Sequence, residues 1–252
     1  MFTQIRRVGQ HAIFLAVAKQ EKFGEFLEER LGDTYSWEFD SGVLRFVSDR
    51  GFVECDTYPV ASIAVEPASL LWRWQPISEG EAEYFRGQVS QLFKSFGEHH
   101  QLEEFVHQEI PYQPAEDQVG QIAQLGHDVI NAGYEVCGPQ AVFYQERFNE
   151  AGSRLVWALA NFRDANGPTE VLGPSLTEVL IKAPRVLDIC DDAEWSLSGI
   201  SRFYADVECV MEHFYSERRV VATFKHASGK QQLVEVTFDE LERIVNVKTQ
   251  LG

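Results

Sequence analysis

Between Tyr35 and Gln75 apolar and polar residues alternate with a period of two, and from Ser78 the spacing changes to threes and fours. This switch constrains the fold more than any other feature. Period two sends successive side chains to opposite faces of a sheet, while spacings of three and four line one face of a helix. YSWEFDSGVLRFVSDRGFVECDTYPVASIAVEP places Trp37 and Phe39 in one strand and Val43, Leu44 and Phe46 in the next. Turns fall at Asp40-Ser41-Gly42 and Asp49-Arg50-Gly51, so the segment is a β-meander. LLWRWQ at 70–75 continues as a strand, with Trp72 and Trp74 on one face and Arg73 on the other. The helix expected after it must bury Phe85, Phe93 and Phe96. The paired indoles are therefore read as core, not as a ligand platform.

The remaining elements follow from the same periodicities. Ile13, Phe14, Val17, Phe23, Phe26, Leu27 and Leu31 define an amphipathic helix over 10–31 that stops at Gly32. MFTQIRRVGQHAIFLAVAKQ is read as part of that helix and not as a signal peptide, because His11, Lys19 and Gln20 bracket too short an apolar run. Ser78 with Glu81 forms a capping box for a helix whose stripe is Phe85, Val89, Leu92, Phe93 and Phe96. A second helix runs through Leu102, Phe105 and Val106. A third spans 117–131, with Val119, Ile122, Leu125 and Val129 on one side and Gly133 as its stop. CGPQAVFYQERF and SRLVWALANF form a hairpin, and a short helix runs from Ser175 to Ala183. The stretch 199–215 fits strand and helix equally. RRVVATFKH and QQLVEVTF form another hairpin, and Thr237 with Glu240 caps a last helix, DELERIVNV. NGPTEVLGPS, with two Gly-Pro pairs, reads as a linker. The expected fold is α+β, with antiparallel meanders and hairpins packed by amphipathic helices in two lobes, 1–165 and 166–252. SLLWRWQ and SRLVWALAN also echo one another, as a duplicated unit would.

Charge narrows the function. The chain carries 39 acids against 22 lysines and arginines, a net of −17. Residues 79–135 hold eleven acids and two bases, and residues 188–217 hold eight acids and one base. Such a field repels nucleic acid and anionic membrane and attracts basic partners. The carboxylates expected to meet a partner are Glu98, Glu103, Glu104, Glu109, Glu116 and Asp117 in the first segment, and Asp188, Asp191, Asp192 and Glu194 in the second. Tyr112 and Trp195 are the aromatic anchors beside them.

Motifs for chemistry are scarce. The phosphate loops G-x-x-x-x-G-K-[ST] and G-x-G-x-x-G, the serine elbow G-x-S-x-G and H-E-x-x-H are all absent. On one helix, EHHQLEEFVH would bring His100, Glu103, Glu104 and His107 to one face, and E-x-x-H is a di-iron spacing. It stands alone, and DICDDAEW lacks the glycine and alternation of a calcium loop. Neither is expected to hold a metal, and no cofactor is expected. Cys209 and His213 would be neighbours on a helix. The four cysteines, 55, 137, 190 and 209, form no C-x-x-C pair and read as reduced, mostly buried thiols of a cytoplasmic protein.

YSWEFDSGVLRF, LLWRWQ and the later LGHDVINAGYEVCGPQAVFY resemble a bacterial domain family of uncharacterised function with a W-x-W strand, over residues 10–161. That resemblance assigns no catalytic residues. By its acidity and lack of catalytic motifs, the whole chain also resembles immunity proteins of interbacterial toxin systems, including those that neutralise type VI secreted nucleases. This implies a non-enzymatic inhibitor of a cognate basic toxin domain, with no direct contact to nucleic acid or membrane. The alternatives are a small-molecule-binding or hydrolytic enzyme using an aromatic and carboxylate cleft, and an adaptor in a secretion or signalling assembly.

Overall fold

The structure is a computed structural model describing residues 2–74 and 88–251. The capping box at Ser78 and Glu81 and the start of the stripe at Phe85 lie outside the described residues. The fold is α+β, with antiparallel sheets packed by helices. It divides into two compact units, Met1–Gly9 with Gln20–Leu172, and Gln10–Lys19 with Gly173–Gly252. The division differs from the expected cut at 165. Residues to Leu172 stay with the first unit because Gly167 and Pro168 pair with the preceding strand and Val171 is buried in the first core. The middle of the first helix belongs to the second unit, which no local sequence signal indicates.

The first unit begins with α1 (Thr3–Leu31), longer than expected at its start and closed by Gly32 at φ 79°. Its sheet has eight strands: β1 (Ser36–Asp40), β2 (Val43–Ser48), β3 (Gly51–Ala64), β4 (Ser69–Trp72), β5 (Glu109–Pro111), β6 (Val142–Arg147), β7 (Arg154–Asp164) and β8 (Gly167–Pro168). The order is β1-β2-β3-β4-β5, with β7 also paired to β3 and flanked by β6 and β8. The echo between SLLWRWQ and SRLVWALAN is not a repeated element order. The first is a strand after a meander, and the second is the return strand of a hairpin in the same sheet. The helices are α2 (Gln88–His100), α3 (Glu103–Val106) and α4 (Gln118–Cys137). Phe23, Phe26, Leu27 and Leu31 of α1 cover Leu44, Phe46, Val53, Trp157, Leu159 and Phe162 of the sheet, a packed aromatic and aliphatic core.

LLWRWQ forms the second focus of this unit. The strand ends at Trp72, yet Trp74 beyond it still stacks on Trp72 with centroids 5.9 Å apart, and both indoles are buried. Trp72 packs on Phe93 at 5.2 Å and Phe105 at 5.5 Å. Its Nε1–H donates to the carbonyl of Glu104 at 2.8 Å, so the one polar atom of the ring is satisfied inside the core. Two stripe positions differ from expectation: Leu92 on α2 and Val119 on α4 face solvent. Gly133 does not stop α4, which runs on to Cys137 and ends at Gly138. Gly133 instead admits the ring of Phe143, whose Cζ would lie 2.6 Å from any Cβ there.

The second unit combines residues 10–19 of α1 with α5 (Leu176–Leu180), α6 (Ala183–Leu187), α7 (Ala193–Ile200) and a four-stranded sheet. Its strands are β9 (Val207–Phe214), β10 (Arg219–His226), β11 (Gln231–Phe238) and β12 (Ile244–Gln250), in the order β12-β11-β10-β9. Ser175 caps α5 through a complete capping box with Glu178. Ile13, Phe14 and Ala18 pack with Val179, Leu180, Leu197, Phe224, Val234 and Val236. A Cβ at Gly199 would collide with the carbonyl of His11, so this close approach requires glycine. The stretch 199–215 divides its two propensities, ending α7 at Ile200 and becoming strand at Val207. The expected final helix is strand β12. Thr237 pairs with Asn246 inside the ladder, and Asp239 accepts N–H bonds from Leu241 and Arg243, which reverses the chain. The β-branched run that follows then pairs with β11.

Trp72→Ala should lower stability by about 3–5 kcal/mol, the range for emptying a large aromatic site. Urea denaturation measures it. A variant as stable as the parent would remove the indole from the core.

Candidate functional site

The acidic residues singled out by charge have unequal duties. Glu104 is committed to the fold. Its carboxylate accepts the N–H groups of Thr3, Gln4 and Ile5, each at 2.9 Å, at the start of α1, where the N-cap Phe2 offers no side-chain acceptor. The Glu104 N–H in turn donates to Oε1 of Gln4, so the two segments cap each other. Tyr112 is no partner anchor. It is buried, its hydroxyl donates to the Ala64 carbonyl at 2.6 Å, and its ring meets Phe2 edge-on. Asp117 caps α4 through the Gly120 N–H. Glu98 lies 3.8 Å from Lys94, and Glu109 and Glu116 are exposed.

The shared face that EHHQLEEFVH would present on a single helix does not form, because the chain is not one helix there. α2 ends at His100, Gln101 takes φ 56°, and α3 starts at Glu103. His107 pairs with Glu103 at 2.9 Å, while Glu104 turns to α1. Among the described residues no three His, Cys, Asp or Glu side chains are grouped to hold an ion. Cys209 and His213 lie on strand β9 and not on a helix. Burial pushes the thiol of Cys209 up to about 11, and those of Cys55 and Cys137 up to about 12, from an ordinary 9.0. Near neutral pH these sulfurs stay protonated and are poor nucleophiles.

The second segment does assemble a site. In the second unit a cleft of about 510 Å³ is lined by Asp191, Asp192 and Glu194 at the start of α7 and by Asp239, Glu240 and Glu242 in the turn between β11 and β12. Six carboxylates thus line the cleft together with Arg218 and Arg219. Charge counting over long segments misses the 239–242 turn because its three acids form a short run followed by Arg243, and the return of β12 beside β11 brings them in. Asp192 caps α7 through the Trp195 N–H at 3.0 Å, and Glu194 lies 3.6 Å from Nδ1 of His213. A hydrogen bond from Arg243 holds the Asp239 carboxyl below its usual range. Arg218 lies 3.6 Å from Glu240, and Arg219 bonds Glu217 and Glu235 at 2.9 Å. Asp188 is exposed outside the cleft lining. Trp195, on α7, is half-buried against His11 of α1, ring centroids 4.3 Å apart, so its ring is partly taken up inside the second unit.

The first unit has a cleft of similar volume, about 510 Å³, between β7 and residues 168–171. Asn161, at φ 52°, donates to Asp56 at 2.7 Å, and Arg163 bridges Glu54 and Asp56 at 3.1 and 3.0 Å. This network sits where the β3–β7 register shifts, and it answers the charges that the bulge brings together.

Antiparallel sheets and covering helices define an α+β protein, and a carboxylate-lined cleft marks its second unit. The chain belongs to a family of unknown function (DUF6882), whose model matches residues 6–162. The comparisons with curated proteins and with solved structures give no match. The matched span covers most of the first unit, and the acidic cleft lies beyond it. No helix among the described residues is long and apolar enough to cross a membrane.

Glu104→Ala should cost about 1–2 kcal/mol through loss of the cap, measurable by chemical denaturation. An unchanged midpoint would mean that the carboxylate does not hold α1. Alkylation at pH 8 should reach Cys55, Cys137 and Cys209 more than about tenfold more slowly in the native than in the unfolded chain. Their folded values are raised, so the stability they contribute is whole below pH 9 and declines as pH climbs toward 11–12. Native and unfolded thiols reacting at equal rates would contradict that burial.

Proposed function

We propose that the protein is a non-enzymatic binding protein that captures a basic protein partner through the acidic cleft of its second unit. The observation that carries this reading is the convergence of Asp191, Asp192 and Glu194 with Asp239, Glu240 and Glu242, two stretches far apart in sequence. Such a field speeds encounter with a positively charged surface and disfavours nucleic acid. Immunity to a cognate toxin, with a nuclease domain as target, is the biological role that fits. A nuclease surface is basic because it must hold phosphate, and an acidic cleft complements it. The closed charge networks and protonated thiols favour binding over catalysis. A small-molecule role would rest on the Asn161–Arg163 cleft of the first unit, whose charged groups already answer one another.

The test is affinity capture from the native host, followed by association rates of the captured protein over a salt series. The cleft set is Asp191→Asn, Asp192→Asn, Glu194→Gln, Glu240→Gln and Glu242→Gln. Asn preserves the cap at position 192, and Asp239 is left to hold its turn. A control set neutralises Glu98, Glu109 and Glu116. The cleft set should slow association on the order of tenfold at low salt, an effect that shrinks as salt screens it, while the control set changes little. Equal effects from both sets, or capture of no basic protein, would reject the reading.

A further inference from the structure

At the edge of the eight-stranded sheet, all five residues of β1 are exposed. Its register with β2 sets Trp37 opposite Phe46 and Phe39 opposite Leu44, both fully buried. Tyr35, Trp37 and Phe39 therefore continue the core face of the sheet out to its rim, where they remain 40%, 39% and 47% exposed. The opposite face of the strand carries Ser36, Glu38 and Asp40.

The direction of the backbone groups follows from the ladder. Thr57 donates its N–H to the Gly42 carbonyl, so Gly42, Leu44 and Phe46 exchange their bonds with β3. Val43, Arg45 and Val47 then bond to β1, through Asp40, Glu38 and Ser36. The two-residue turn at Ser41 and Gly42, with φ 52° and 81°, closes on the Asp40–Val43 pair in the same phase. The N–H and C=O groups of Trp37 and Phe39 are left pointing outward, and β2 is the only pairing partner of β1 among the described residues.

We propose that β1 accepts an extended segment of a basic partner as an added strand. The outward groups of Trp37 and Phe39 would supply the ladder. Apolar side chains of the segment would lie along the Trp37–Phe39 face, and its lysines or arginines would lie along Glu38 and Asp40. Charge selects this occupant over a second copy of the chain, because antiparallel self-pairing about Glu38 sets carboxylate against carboxylate. The inference rests on the reading above only in taking the partner to be basic. Its surface lies in the first unit, inside the span matched by the family, and the acidic cleft does not.

The probe is a short synthetic peptide of alternating lysine and valine, with an alternating glutamate and valine peptide as control, titrated onto the full chain. The lysine peptide should bind and slow amide exchange at Trp37 and Phe39. Phe39→Pro removes an outward N–H that the β1–β2 ladder does not use, so the sheet should persist and binding fall by about tenfold or more. Glu38→Lys with Asp40→Lys should do the same, while the cleft variants should leave peptide binding unchanged. Absence of binding, equal binding of the glutamate peptide, or binding indifferent to Phe39→Pro would overturn the proposal. A dimer of the chain that Phe39→Pro abolishes would overturn it too, by replacing the occupant. Loss of peptide binding in the cleft variants alone would end this inference and leave the cleft reading standing. Protection of β1 together with cleft variants that capture the native partner normally would do the reverse.

Discussion

The indole N–H of Trp72 and the carboxylate of Glu104 together fix how the first unit begins and how its sheet is covered. Trp72 stands at the end of β4 and holds the Glu104 carbonyl. Glu104 in turn receives three N–H groups from the first turn of α1. Without that carboxylate the opening turn of a 29-residue helix would depend on solvent, since Phe2 provides no acceptor. The short helix α3 thereby ties a strand end to the start of α1, and Phe93 and Phe105 pack around the joint. Of the paired tryptophans of LLWRWQ, Trp72 makes this joint and Trp74 stacks on it, both indoles being buried.

Sequence periodicity reveals the elements that carry one period throughout. The meander at 36–64, both hairpins and α1 are legible because their apolar positions recur at a single spacing over their whole length. Failures occur where tertiary contacts outweigh local propensity. Gly133 looks like a helix stop, but it is a seat for Phe143 inside a helix that continues. DELERIVNV has helical residues and an apparent cap, yet its β-branched end completes the ladder beside β11. Lys19 and Gln10 would be read as solvent-facing, and both are buried in α1. The split of α1 between two units depends on contacts with residues far along the chain, which no window of sequence contains.

The same limit applies to the candidate site. Composition locates acidic segments but cannot distinguish a carboxylate with a structural role from one facing solvent. Glu104, Asp117 and Asp192 are all helix caps, and a net-charge count weighs them equally with Glu109. Tyr112 looked like an anchor because it sits among acids, but its hydroxyl is used inside the unit. Conversely, Glu240 and Glu242 belong to an acidic turn too short to register in a count over long segments, and the reversal between β11 and β12 places them with Asp191. The family match ends within β7, so it takes in most of the first unit together with residues 10–19 of α1, which belong to the second. The acidic cleft lies beyond that span.

The dependence of α1 on the Trp72–Glu104 joint is tested most directly by a double-mutant cycle of Trp72→Phe and Glu104→Ala, followed by equilibrium unfolding. Phe keeps most of the ring and removes only the donor to the Glu104 carbonyl, so the carboxylate should be worth less once its backbone is released. A coupling of about 0.5–1.5 kcal/mol is the predicted result. Additive effects, within about 0.3 kcal/mol, would show that the strand and the helix cap are independent and would contradict the joint.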